Sequence, residues 1–190
     1  LKQERKRQGL SIKDLSYGVM PEKILERMES GMCSWKNIDG DFLLQRLGIP
    51  GEYYECIVTD EKIDQWMKQE EIVKLLLSDT VKAERDLSEY SKKYSSQSKI
   101  TQLFMKKAEG VILLKKWMKT PTQQLAEKIL EIAEESIKTT IPCEWNCREV
   151  NLPLAPDELE AILFLSIAKR INGKITESWK LVCYVWSYPG

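Results

Sequence analysis

Residues 10–31 read LSIKDLSYGVMPEKILERMESG, and this stretch decides the class of fold. Ser11 stands directly before a short helical run and Asp14 follows three residues on. That is the spacing at which a side chain and the backbone cap a helix start reciprocally. Leu15 is the core residue of this short helix. Tyr17-Gly18-Val19 makes a turn in which Gly18 is free to take a positive φ. Pro21 suits the first turn of a second helix. Leu25 and Met28 follow at i, i+3 spacing, and Gly31 closes it. Two short helices joined by a glycine-containing turn form a helix-turn-helix.

Outward from this core the helical reading continues. Leu1 to Gln8 is a basic helix that stops at Gly9, and Phe42, Leu43 and Leu47 mark another before Gly48-Ile49-Pro50. Residues 1–50 are therefore expected to form a bundle of about five short helices, its core made by Leu10, Leu15, Leu25, Met28, Leu43 and Leu47. Residues 51–58 read as a connector carrying Tyr53 and Tyr54. From 59 to 190 the helices lengthen. The first, capped by Thr59 or Asp60, has the apolar stripe Ile63, Trp66, Met67, Val73, Leu76 and Leu77. The next, around Val81 to Tyr94, has Ala83, Leu87, Tyr90 and Tyr94. Ile100, Phe104, Ala108, Val111, Leu114 and Met118 make a third stripe, and Leu125, Ile129, Ile132 and Ile137 a fourth. Ile141 to Pro156 is irregular. Ile162, Leu163, Ile167 and Ile171 then form a stripe ending at Gly173, and Trp179, Val182, Cys183 and Trp186 form the last. No stretch sustains period-two alternation, so the fold class predicted is all-α with essentially no strand. Antiparallel helix pairs joined by short turns are the expected arrangement of 59–190.

Composition narrows the function classes. Apolar residues make up 43% of the 190, which supports a real core, and charged residues make up 31%. Basic and acidic side chains balance at 29 each, so net charge names no partner. Residues 1–50 carry nine basic and seven acidic side chains, a weak local excess. No apolar run reaches the roughly 18 residues of a membrane span, and no signal peptide is read at the start. The start on Leu1 and the end straight after an apolar helical pattern are those expected of a fragment. Five scattered cysteines (Cys33, Cys56, Cys143, Cys147, Cys183) imply reduced thiols and a cytoplasmic setting. Cys143 and Cys147 form a C-x3-C pair, but the chain has no histidine and lacks a four-ligand pattern, so neither metal nor cofactor is expected. Without histidine there is no Ser-His-Asp or Cys-His site. No phosphate-binding glycine loop is present either, and the expectation is a non-enzyme.

The stretch at 10–31 resembles the first helix-turn-helix of the XRE, or phage-repressor-like, transcriptional regulators. Leu10-Ser11, Leu15, Gly18-Val19, Leu25, Arg27, Glu29 and Gly31 fall in register with that family pattern without a gap. FLLQRLGIP (42–50) fits the way such domains close. The remainder, best at SIKTTIP (136–142), is similar to the tetratricopeptide-like domains that follow this module in Gram-positive bacterial regulators, notably the peptide-sensing Rgg and PlcR group.

That resemblance implies a DNA-binding dimer, with the helical domain serving dimerisation and the reception of a signalling peptide or protein. The recognition helix would be Pro21 to Ser30, lying in the major groove with its N-terminal residues at base edges. Glu22 and Lys23 are the candidates for base contact. Glu26, where the family usually has Ser, could accept from cytosine N4. Ser11, Lys13 and Lys36 are candidates for phosphate contact, which positions without reading sequence. Arg27 lies towards one side of the helix, and the resemblance also implies a brace between Arg27 and Glu29 or a neighbour. The departures are Pro21 at the helix start and the two acids. The alternative is a helical interaction module whose helix-turn-helix no longer binds DNA. The sequence points to no peptide-binding residues.

Overall fold

The computed structural model describes residues 1–33, 37–49, 60–94, 98–142 and 152–188. Among these are ten α-helices and no strand. The first four are short: α1 (Lys2–Arg7), α2 (Ile12–Ser16), α3 (Glu22–Glu29) and α4 (Asn37–Arg46). The six that follow are longer: α5 (Asp60–Ser78), α6 (Thr80–Tyr94), α7 (Lys99–Lys119), α8 (Gln123–Thr140), α9 (Pro156–Ile171) and α10 (Ile175–Ser187).

Local chemistry sets the helix ends. Asp14 N donates to Ser11 Oγ (3.0 Å) and Ser11 N donates to Asp14 Oδ2 (3.2 Å), closing the capping box expected at α2. Thr122 caps α8 through Leu125 N and Ser98 caps α7 through Thr101 N. At α9, Pro156 occupies the first turn while Glu158 accepts from Ala155 N at 2.9 Å.

Among the described residues, three clusters of buried side chains organise the fold. Leu15, Leu25, Leu43 and Leu47 form the first, with Leu10 and Val19 partly buried against it; Met28 is buried as well. Ile72, Leu76, Ala83, Leu87, Tyr90, Tyr94, Ala108 and Ile112 join α5, α6 and α7. The third cluster runs through α7, α8, α9 and α10 and includes Phe42 of α4. Helix α4 therefore serves two cores, with Leu43 and Leu47 in the first cluster and Phe42 in the third.

Burial corrects the expected stripes in the longer helices. On α5, Ile63, Trp66, Met67, Val73 and Leu77 are exposed, and only Leu76 of that set is buried. The inward face is instead Gln65, Gln69, Ile72 and Leu76, at i, i+4, i+7, i+11. Gln65 is buried because its Nε2 donates to Tyr90 Oη (3.0 Å) and Thr101 Oγ1 (3.1 Å); Gln69 Nε2 also donates to Tyr90 Oη (2.7 Å). A polar residue with all this partnering goes inside where hydrophobicity alone would keep it out. Helix α7 contributes to two clusters, so its buried set (Thr101, Leu103, Ala108, Gly110, Ile112, Leu113) is wider than one stripe, and Met118 is exposed. On α9, Ile162 is buried but Leu163 and Ile167 are exposed; on α10, Trp179, Cys183 and Trp186 are exposed. The expected residues of α6 are all buried, as are Ile129, Ile132 and Ile137 of α8.

Candidate nucleic-acid interface

Helices α2 and α3 are joined by the turn Tyr17–Pro21, in which Gly18 has φ +68°. A side chain at 18 would be strained by that φ and would also run into the backbone of Thr140 at the end of α8. Leu15 and Leu25 fix the two helices against α4 by burying one side chain from each. The opposite side of α3 carries Glu22, Lys23, Glu26 and Arg27, all exposed. Lys13 on α2 is exposed too. Ser11 is exposed, and its Oγ is occupied with Asp14 in the α2 cap. Lys36, together with Cys56, Cys143, Cys147, Trp145 and Thr59, lies outside the described residues. Cys33 and Cys183 are free thiols.

The brace implied for Arg27 is made by a different arginine. Glu29 accepts from Arg5 Nε and Nη2, both at 2.7 Å, while Arg5 Nη1 donates to Leu10 O at 2.7 Å. This bidentate pair ties α1 to α3 and lies almost wholly out of solvent. The Arg5 guanidinium holds the Glu29 carboxyl below its ordinary pKa through those hydrogen bonds. Arg27 and Glu29 are two apart on one helix and so point away from each other. Arg27 is thereby left on the outer face with Lys23. That face is electrically mixed, two basic and two acidic side chains, rather than a basic patch.

A second buried pair joins helices far apart in the sequence. Arg46, near the end of α4, donates Nε and Nη2 to Glu158 of α9 at 3.0 and 2.6 Å. Its Nη1 donates to Leu15 O (2.8 Å) and Tyr17 O (2.7 Å), and Nη2 also donates to Thr140 O (3.2 Å). All five guanidinium N–H groups are used, and both side chains are fully buried. One side chain thus holds the α2–α3 turn, the end of α8 and the start of α9. The only sequence signal was an arginine between Leu43 and Leu47 in a helix otherwise apolar on that side.

Beside this junction an open cleft of about 500 Å³ separates Val19, Met20 and Pro21 from Ser98, Lys99 and Gln102 at the start of α7. Among the described residues no helix is long and apolar enough to cross a membrane. No group of three or more acidic or thiol side chains among them is placed to hold a metal ion. No protein-family model matches the chain, and searches of curated proteins and of solved structures find no match.

Proposed function

We propose that the chain is a sequence-specific DNA-binding regulator of the XRE type, acting as a dimer, with α3 as its recognition helix. The observation that carries this reading is the α2–turn–α3 unit itself. It is capped, turned on a left-handed Gly18 and braced from behind by Arg5–Glu29, and the outer face of α3 is left to solvent. A helix presented in this way fits the major groove, with Glu22 and Lys23 foremost. Lys13 and Lys36 would position the phosphates, Ser11 being engaged in the α2 cap, and Glu26 would accept from cytosine N4. Because the face is not strongly basic, non-specific binding should be weak and fall further with salt, with the shallow slope that few phosphate contacts give. The α5–α10 array would receive a peptide or protein signal. The Arg46 junction supports such coupling, because it joins that array to the turn just before the recognition helix.

The exposed pair Glu22 and Glu26 favours one other reading, an interaction module in which these acids repel phosphates. Fluorescence anisotropy with labelled duplexes separates the two. For the regulator, Lys13→Ala and Lys36→Ala weaken binding to every sequence alike, whereas Lys23→Ala also relaxes preference at one base pair. Glu22→Gln or Glu26→Gln then abolishes discrimination at a position. For the interaction module, the Gln variants tighten binding to all duplexes without discrimination.

A further inference from the structure

The cleft beside the Arg46 junction has two unlike walls. Val19, Met20 and Pro21, in the turn that leads into α3, make one wall aliphatic. The start of α7 makes the other and carries Lys99 and Gln102, and Asp39 of α4 adds a carboxylate to the lining. The volume of about 500 Å³ falls within the roughly 300–1,000 Å³ of small-molecule sites. Such sites favour seams between packed units and combine apolar walls with a few polar groups.

The polar groups of this cleft are open to a ligand. Among the described residues, neither the Lys99 ammonium nor the Gln102 amide makes a hydrogen bond or an ion pair. By contrast, Lys93, Lys106, Lys107, Lys116 and Lys169 of the same helical array each reach a carboxylate. Asp39 is already engaged, but a carboxylate has about four lone-pair sites and accepts further donors. Lys99 and Asp39 do not pair with each other. The cleft therefore holds one cation and one anion, unjoined, beside an aliphatic wall.

This charge content selects the ligand. A phosphate or a dicarboxylate would meet Asp39 with like charge, and a simple amine would meet Lys99 in the same way. An uncharged apolar molecule would take water from both charged groups and return no partner. A zwitterion satisfies both. We propose that the cleft binds a free α-amino acid with an aliphatic side chain. Its carboxylate accepts from Lys99 and Gln102, its ammonium donates to Asp39, and its side chain lies on Val19, Met20 and Pro21. The ligand then spans the turn before α3 and the start of α7. On the reading of α3 as a recognition helix, it fastens that helix to the array.

Free leucine is the probe, titrated without DNA into the full chain isotopically labelled at its methionine methyl groups. The signal assigned to Met20, by its absence in Met20→Leu, is expected to move furthest and to saturate. Isocaproate, which lacks the ammonium, and isoamylamine, which lacks the carboxylate, should each bind at least about tenfold more weakly, as loss of a hydrogen bond to a charged group does. Serine, with the same charged groups and little apolar body, should also lose about tenfold or more. Lys99→Gln and Asp39→Asn should each weaken leucine binding about tenfold or more, with helix content by circular dichroism unchanged. Should Asp39→Asn disturb α4, Lys99→Gln on the exposed start of α7 decides. No saturable shift at Met20, binding of any of the three analogues as tight as that of leucine, or undiminished leucine binding in Lys99→Gln would overturn the assignment. With no duplex present, the result is independent of whether α3 reads DNA.

Discussion

Arg46 and Glu158 show how much one pair can carry when both partners leave water. Their desolvation is costly, and it is offset only because every guanidinium N–H and both carboxylate oxygens find partners. Removing one partner strands the other. Arg46→Met or Glu158→Leu should each cost about 3–5 kcal/mol in urea unfolding. The double variant should recover only the part of that loss due to a stranded charge, because Leu15 O, Tyr17 O, Thr140 O and Ala155 N still lose their partners. The Arg5–Glu29 pair makes a different prediction, in pH. The folded carboxyl of Glu29 titrates below its unfolded value, so its contribution is fully present above about pH 4.3. It is lost as pH falls through the folded value. The gap in urea midpoint between wild type and Glu29→Gln should therefore be constant from neutral pH down to about pH 5 and narrow as pH falls below the unfolded carboxylate value of about 4.3 and on through the lower folded one. A gap independent of pH would mean that the pair is not the source.

At the scale of helices, legibility followed chemistry. The short elements were readable because their ends are written in local signals: Ser11 with Asp14, Gly18, Pro21, Gly31 and Gly48. Helix α6 was readable because its buried face is apolar or aromatic throughout. Helix α5 was misread by the same rule. Its exposed side is the more hydrophobic one, and its buried side owes its place to Gln65 and Gln69 meeting Tyr90 and Thr101, partners 21 to 36 residues away. Hydrophobic spacing cannot see such a pairing. The register of α5 can be tested directly. Gln65→Ala should cost about 1–3 kcal/mol by leaving buried hydroxyls short of a partner, while Trp66→Ala should stay within about 0.5 kcal/mol as a surface change. The reverse order in thermal or urea unfolding would restore the stripe read from hydrophobicity. The exposed Trp179 and Trp186 show likewise that helical spacing of aromatics marks a face, not which way the face looks.

For the whole molecule, the all-α class was legible from the absence of alternation, and the candidate site only from the register of residues 10–31. What the sequence could not display was the way Phe42 and Arg46 root the first helices in the later ones, because those contacts span 94 to 112 residues in the case of Arg46. On the proposed reading, these contacts set how α3 is held against the array behind it, and a ligand that shifted the end of α8 or the start of α9 would be expected to move α3. The central claim, that α3 reads DNA, is most directly tested by selecting the full chain against a random duplex library at low salt, alongside the Glu22→Gln/Glu26→Gln double variant. The account predicts an enriched site for the wild type, with preference at one or more base pairs lost in the double variant and in Lys23→Ala. Enrichment of nothing by the wild type, together with failure of the double variant to bind any duplex, would contradict it.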